Sequence, residues 1–180
     1  IIRIRPMKYS LEDLEKFKVQ IKELLNLKVI RPSNSPHSSP AFIVRKHSEI
    51  ARGKARIVFN YKALNDATIF DGYYLPNKEV LLNKIQNKKW FTKMDRKSGF
   101  WQIKLTEESI PYTAFSCPQG QYEWLVMPFG LKNAPQIFQR RMDEVLKQHD
   151  DYCIVYVDDI LIFSDSLEEH IKHCNLKRFS

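Results

Sequence analysis

Hydrophobic and polar positions along this chain alternate with two distinct periods, and the change of period marks the elements. Leu11, Leu14, Phe17, Ile21, Leu24 and Leu25 recur every three or four residues, the spacing of one apolar face of a helix. Ser10 stands just before them with Asp13 three residues on, a capping-box arrangement, so a helix is expected from Ser10 to near Leu27. Residues 31–40 hold three Pro and four Ser and read as an irregular loop. Ala41–Lys46 and Ala55–Tyr61 read as strands joined by a charged turn at Arg52-Gly53-Lys54. A short helix is expected near Val80–Ile85, then a strand from Trp90 to Asp95. Tyr112–Ser116 and Gln121–Leu125 flank a turn at Pro118–Gly120 and read as a hairpin. Lys132–Lys147 has helical periodicity, with Pro135 tolerable in its first turn. A last helix starts near Leu167.

One segment breaks its own pattern. Residues 152–163 read Tyr-Cys-Ile-Val-Tyr-Val-Asp-Asp-Ile-Leu-Ile-Phe. The β-branched and aromatic runs on either side suit two buried strands, and Asp158 and Asp159 then fall in the turn between them. Two adjacent carboxylates repel each other, and burying them unpaired is costly. The pair is reasonable if a divalent cation neutralises it, since hard cations prefer carboxylate oxygens. A hairpin whose Asp-Asp turn only meets water is the plainer alternative. Asp95 supplies a third acid at a strand end, followed by a backbone able to bend at Gly99. Together the three could complete a two-metal site for phosphoryl transfer.

These residues carry a resemblance. Tyr156-Val157-Asp158-Asp159 resembles the catalytic hairpin of reverse transcriptases. The run from Met127 through Pro135, followed by Phe138-Gln139, resembles their nucleotide- and template-contacting segment. Arg56–Asn65 resembles their fingers strand. The segments 35–42, 52–54 and 112–120 are similar to plant pararetroviruses of the caulimovirus and badnavirus group, with gypsy-like retrotransposons next. The resemblance covers nearly the whole chain, with its motifs in the family's order.

That resemblance implies an α+β fold, the fingers and palm of a polymerase right hand, with an antiparallel palm sheet packed on helices. It implies residues 1–89 as mostly fingers, 90–111 as the palm strand bearing Asp95, 112–130 as fingers and palm, and 131–180 as palm with the Asp158-Asp159 hairpin. It implies RNA- and DNA-templated synthesis of DNA. Asp95, Asp158 and Asp159 would hold two Mg²⁺ ions (Mn²⁺ is the substitute), with Asp159 ranked last. Lys46 and Arg56 would contact the triphosphate, together with backbone N–H groups around Lys97–Phe100. Phe100 would be the gate against a ribose 2′-hydroxyl, and Phe129 and Gly130 would line the nucleotide site. Phe129 stands where retroviruses have Gln, and Asn60 where an Asp is common. The implied partners are an RNA or DNA template with its primer, deoxynucleoside triphosphates, and the thumb and RNase H of a longer polyprotein.

Composition sharpens this. The net charge is +8, yet residues 1–62 hold fourteen Lys and Arg against five Asp and Glu, while the remainder is nearly neutral. A basic front half suits sequence-independent binding to phosphates. Hydrophobic content of 43% is enough for a core. Cys117, Cys153 and Cys174 form no CxxC pair, so a reduced, intracellular setting (cytoplasm or virus-like particle) without disulfides is expected. His170, His173 and Cys174 lie close in sequence but lack a fourth ligand for zinc and read as a polar helix face. No secretory signal or membrane partner is expected. A metal-dependent nuclease would share the acids but leaves residues 127–139 unexplained. A catalytically silent, nucleic-acid-binding remnant of an integrated element is the main alternative.

Overall fold

The structure, a computed structural model, describes residues 1–5, 7–44, 56–95 and 99–175, Asp95 through its backbone. The described chain forms two compact units. The first comprises residues 1–69 and 100–134, the second residues 70–99 and 135–180.

The first unit is built on a five-stranded sheet in the order β1-β6-β5-β2-β3. Its strands are β1 (Ile30–Pro32), β2 (Ser39–Val44), β3 (Arg56–Phe59), β5 (Phe115–Cys117) and β6 (Gly120–Trp124). Helix α1 (Leu11–Asn26) covers it. Ser10 Oγ accepts from Asp13 N–H at 3.2 Å, which satisfies one of the helix's orphan donors. At the other end Lys28 takes a left-handed φ of 56°. Val29 N–H then reaches Leu24 C=O and Lys28 N–H reaches Leu25 C=O. This is a Schellman closure made without glycine, and Leu24 and Val29 bury together at its end. Phe17 and Ile21 carry the same helix face into a core with Ala41, Tyr61, Phe115 and Trp124. Phe17 is wholly buried, and truncating it to Ala costs about 3–5 kcal/mol.

Two expectations change here. Ile30–Pro32 is a strand, not loop, pairing with Tyr122–Trp124. Pro32 is tolerated because β1 is an edge strand, where a missing N–H breaks no ladder. Tyr112 and Thr113 belong to a 3₁₀ turn, Ile110–Thr113. Pro111 fits its start, and Thr113 Oγ donates to Ile110 C=O at 2.7 Å, so the strand begins only at Phe115. Helix α2 (Lys62–Ala67) is under two turns long, too short for its one core-packed apolar residue, Leu64, to make a periodic signal.

The second unit holds an antiparallel sheet in the order β4-β8-β7, from β4 (Trp90–Asp95), β7 (Cys153–Tyr156) and β8 (Asp159–Ser164). Three helices accompany it: α3 (Lys78–Lys84), α4 (Ala134–Leu146) and α5 (Leu167–Asn175). Helix α4 buries Phe138, Gln139, Met142 and Leu146 along one stripe. Helix α5 packs on β8 and β4. His170, expected on a polar face, is buried instead. Its Nδ1 lies 3.0 Å from Ser164 Oγ and its Nε2 2.8 Å from Thr92 Oγ1. It fastens α5 to the sheet, as a satisfied buried polar group should. Among the described residues no helix is long and apolar enough to cross a membrane, and all three cysteines are free thiols.

Candidate active site

The site lies at the end of the second unit's sheet. Strands β7 and β8 close through a two-residue turn, Val157-Asp158, with Tyr156 paired to Asp159. Only Asp158 is therefore in the turn; Asp159 is the first residue of β8. On its other side Asp159 pairs with Asp95, the last residue of β4. Residues directly opposite in an antiparallel ladder have Cα atoms about 4.5–5.5 Å apart. One rung thus aligns Asp95 with Asp159, and the turn sets Asp158 immediately beside it. Lys93, two residues earlier on β4, places its Nζ 2.9 Å from Asp159 Oδ1.

The turn is under strain and is held from below. Val157 has φ of 52°, a left-handed conformation that costs a non-glycine residue about 1–2 kcal/mol. Gln139, fully buried on α4, meets it. Its Oε1 accepts from Val157 N–H at 2.8 Å. Its Nε2 donates to Val155 C=O at 3.1 Å and to Asp143 Oδ1 at 2.8 Å. One amide therefore grips the backbone on both sides of Tyr156. Asp143 passes the restraint on, because its Oδ2 accepts from the Tyr73 hydroxyl at 2.7 Å. That bond favours the protonated phenol and raises the Tyr73 pKa. Arg140 stacks over the Tyr73 ring and donates to both oxygens of Asp71. The guanidinium holds the Asp71 carboxyl below its ordinary range.

Gly99 explains itself by contact. A Cβ there would lie 3.0 Å from Phe138 Cζ and 3.1 Å from Asp158 Oδ1. The Asp158 oxygen is itself shielded from solvent. Glycine is the residue that lets the backbone come this close to the carboxylate.

Of the nucleotide-contacting candidates, Arg56, Phe100, Phe129 and Gly130 belong to the first unit. Arg56 opens β3, exposed and paired with Val44; Lys46 lies outside the described residues, as do Arg52-Gly53-Lys54 and Lys97-Ser98. Phe100 is 7% exposed in a 3₁₀ turn and meets Phe129 edge-on, with ring centroids 5.0 Å apart. Phe129 is half exposed. Gly130 has φ of 92°, which requires glycine. Its C=O accepts from Asn65 Nδ2 at 2.8 Å, and Asn65 Oδ1 accepts from Lys132 N–H at 2.7 Å. Lys132 Nζ and Asn133 Nδ2 donate to Thr68 and Ile69 C=O. Helix α2 and the residues just after it therefore clamp the segment 130–133. Asn60 Oδ1 accepts from Lys62 N–H at 3.2 Å, so at this position the amide supplies the acceptor that a carboxylate would.

Residues 44–178 match the reverse transcriptase (RNA-dependent DNA polymerase) family. The chain belongs to that family. It is 60% identical to the enzymatic polyprotein of cauliflower mosaic virus (strain CM-1841) over 172 residues, 96% of this chain and 25% of the viral protein. It is 54% identical to the figwort mosaic virus polyprotein over 173 residues, 96% of this chain and 26% of that one. The chain thus spans about a quarter of the length of these relatives. Among solved structures, native prototype foamy virus protease–reverse transcriptase superposes with a TM-score of 0.86 at 28% identity, over 97% of this chain and 23% of that one. The foamy viral enzyme in complex with an RNA/DNA hybrid gives 0.85 at 25% identity with the same coverage. The α+β fold with an antiparallel sheet and helices agrees with these neighbours, and the kinship with plant pararetroviruses read from residues 35–42, 52–54 and 112–120 agrees with the relatives.

Sequence reasoning gives Lys93 no role, reads Gly99 as a bend rather than as room for the Asp158 carboxylate, and places Gln139 in the nucleotide- and template-contacting segment rather than beneath the turn. Gln139 carried one usable signal. It shares the stripe of Phe138, Met142 and Leu146, and a polar residue on an apolar stripe needs a partner.

Proposed function

We propose that this chain carries the nucleotidyl-transfer centre of an RNA- and DNA-templated DNA polymerase, adding deoxynucleotides to a primer 3′-hydroxyl. The observation that supports this most is the rung that aligns Asp95 with Asp159 where the hairpin turns through Asp158. Three carboxylate-bearing residues at one strand end make a hard, anionic oxygen set, suited to Mg²⁺ or Mn²⁺. The solvent-shielded Asp158 oxygen fits the same purpose, since a buried carboxylate favours a cation nearby. When bound, two such ions supply Lewis-acid stabilisation of the attacking and leaving oxygens.

The chain's own residues hold this arrangement. Gln139 fixes the turn, so Asp158 needs no reorganisation when charge develops nearby. Gly99 leaves room for its carboxylate. By family resemblance, Lys46 and Arg56 neutralise the triphosphate as charged donors. Phe100 excludes a 2′-hydroxyl by bulk, and Phe129 and Gly130 bound the nucleotide and template site. The first unit then corresponds to fingers and the second to palm. The basic residues among 1–62 bind the template–primer backbone. The thumb and RNase H belong to the rest of a polyprotein.

The test is primer extension on RNA and DNA templates, using the chain joined to its natural C-terminal extension. Extension on both templates that disappears in Asp158→Asn, with duplex binding kept, is the expected result. Extension that persists in Asp158→Asn contradicts the assignment.

A further inference from the structure

Lys93 is where this site holds more than three acids. The ladder pairs Lys93 with Leu161 and Asp95 with Asp159. From two rungs away, on the same face, Lys93 reaches Asp159 diagonally, a span open to long side chains, and brings Nζ to 2.9 Å from Oδ1. Both side chains are more than half exposed, 63% and 53%. As a stabilising contact the pair is therefore weak. Its position gives it another consequence. The ammonium occupies an oxygen of a carboxylate assigned above to a divalent ion. An ion taking that oxygen has either to displace the ammonium or to share the oxygen with it. Either way it binds less tightly than it would at a hairpin without this cation.

We propose that Lys93 is a positioning residue that acts as a resident counter-cation of Asp159 and lowers the hairpin's affinity for divalent ions. The inference rests on the metal-site reading of the preceding subsection. Lys93 keeps the second carboxylate oriented and neutralised in the absence of metal, relieving repulsion between Asp158 and Asp159. Asp159 then becomes the ligand whose engagement is most easily reversed. A unit positive charge about 5 Å from a divalent ion weakens its binding about ten-fold even in a water-like medium.

The experiment measures Mn²⁺ binding to the 180-residue chain by electron paramagnetic resonance of free Mn²⁺, without nucleotide or turnover. The variants are Lys93→Met, Lys93→Arg, Asp158→Asn, Asp159→Asn and the Lys93→Met/Asp159→Asn double. Methionine keeps an unbranched chain at an exposed strand position, and circular dichroism checks the fold. Lys93→Met is expected to bind Mn²⁺ about ten-fold more tightly, Lys93→Arg to stay near the parent, and the gain to shrink sharply once Asp159 is Asn. A Lys93→Met affinity equal to the parent's, in a chain that does lose Mn²⁺ on Asp158→Asn, overturns this inference alone. An equal gain with and without the Asp159 carboxylate does so too. Mn²⁺ binding that is indifferent to both Asp158→Asn and Asp159→Asn overturns the metal-site reading and this inference with it.

Discussion

Replacing Gln139 with Leu isolates what the buried amide does, because leucine keeps much of the volume and removes all three hydrogen bonds. Val157 N–H, Val155 C=O and Asp143 Oδ1 each lose a partner. At about 1 kcal/mol net per bond, with a surcharge for backbone groups left buried, the loss is about 3 kcal/mol. For a chain of this size that corresponds to a fall in Tm of about 6–12 °C. The catalytic effect should exceed the stability effect. Val157 keeps its left-handed φ only while something holds it, so an unclamped turn relaxes and carries Asp158 with it. Gln139→Glu is the sharper variant. It can still accept from Val157 N–H, but it cannot donate to Val155 C=O and it sets a carboxylate against Asp143. Its deficit is expected to be larger at pH 8 than at pH 5. Thermal denaturation of the parent and both variants, alongside single-turnover nucleotide incorporation in the extended protein, makes the comparison. A Gln139→Leu variant within about 0.5 kcal/mol of the parent, the range of an inconsequential surface change, and with unchanged incorporation, refutes the clamp.

Gly99→Ala puts a methyl group against Phe138 and the Asp158 carboxylate; metal affinity and incorporation are expected to fall at least several-fold with little change in Tm, and a fully active variant contradicts the close approach. Asp71→Asn tests the Arg140 contact through pH. Because the folded-state pKa of Asp71 is depressed, its contribution is present above the unfolded value of about 3.9 and lost as pH falls through the folded one. The stability gap between parent and variant, followed by urea titration, should be full at neutral pH and close in acid, whereas a gap independent of pH contradicts it. Phe100→Val, in the extended protein, is expected to raise ribonucleotide incorporation relative to deoxynucleotide; an unchanged ratio removes Phe100 as the gate.

The parts of this fold legible in the chain were those whose signal is local. The apolar stripe of Leu11–Leu25 with its Ser10 cap became α1 within a residue or two. The two apolar runs around Asp158 became β7 and β8. What escaped depends on distant partners. Ile30–Pro32 is a strand only because Trp124 lies opposite it. Helix α2 earns its place through polar clamps on residues 130–133, which leave no periodicity. Gln139 shares an apolar helix stripe, but its partners at Val155 and Val157 come from a hairpin that helical periodicity does not reveal. The acids were legible as residue types, yet the rung joining Asp95 to Asp159 is a register, and register is set by pairing across more than sixty residues of sequence.

Residues 95, 158 and 159 are proposed to form one metal site. Anomalous diffraction from crystals soaked in Mn²⁺, with template–primer and an incoming deoxynucleotide bound, tests it most directly. Two peaks about 3.5–4 Å apart, each ligated by carboxylate oxygens from this set, are the expected result. Mn²⁺ bound elsewhere with the hairpin acids facing only solvent would contradict the account.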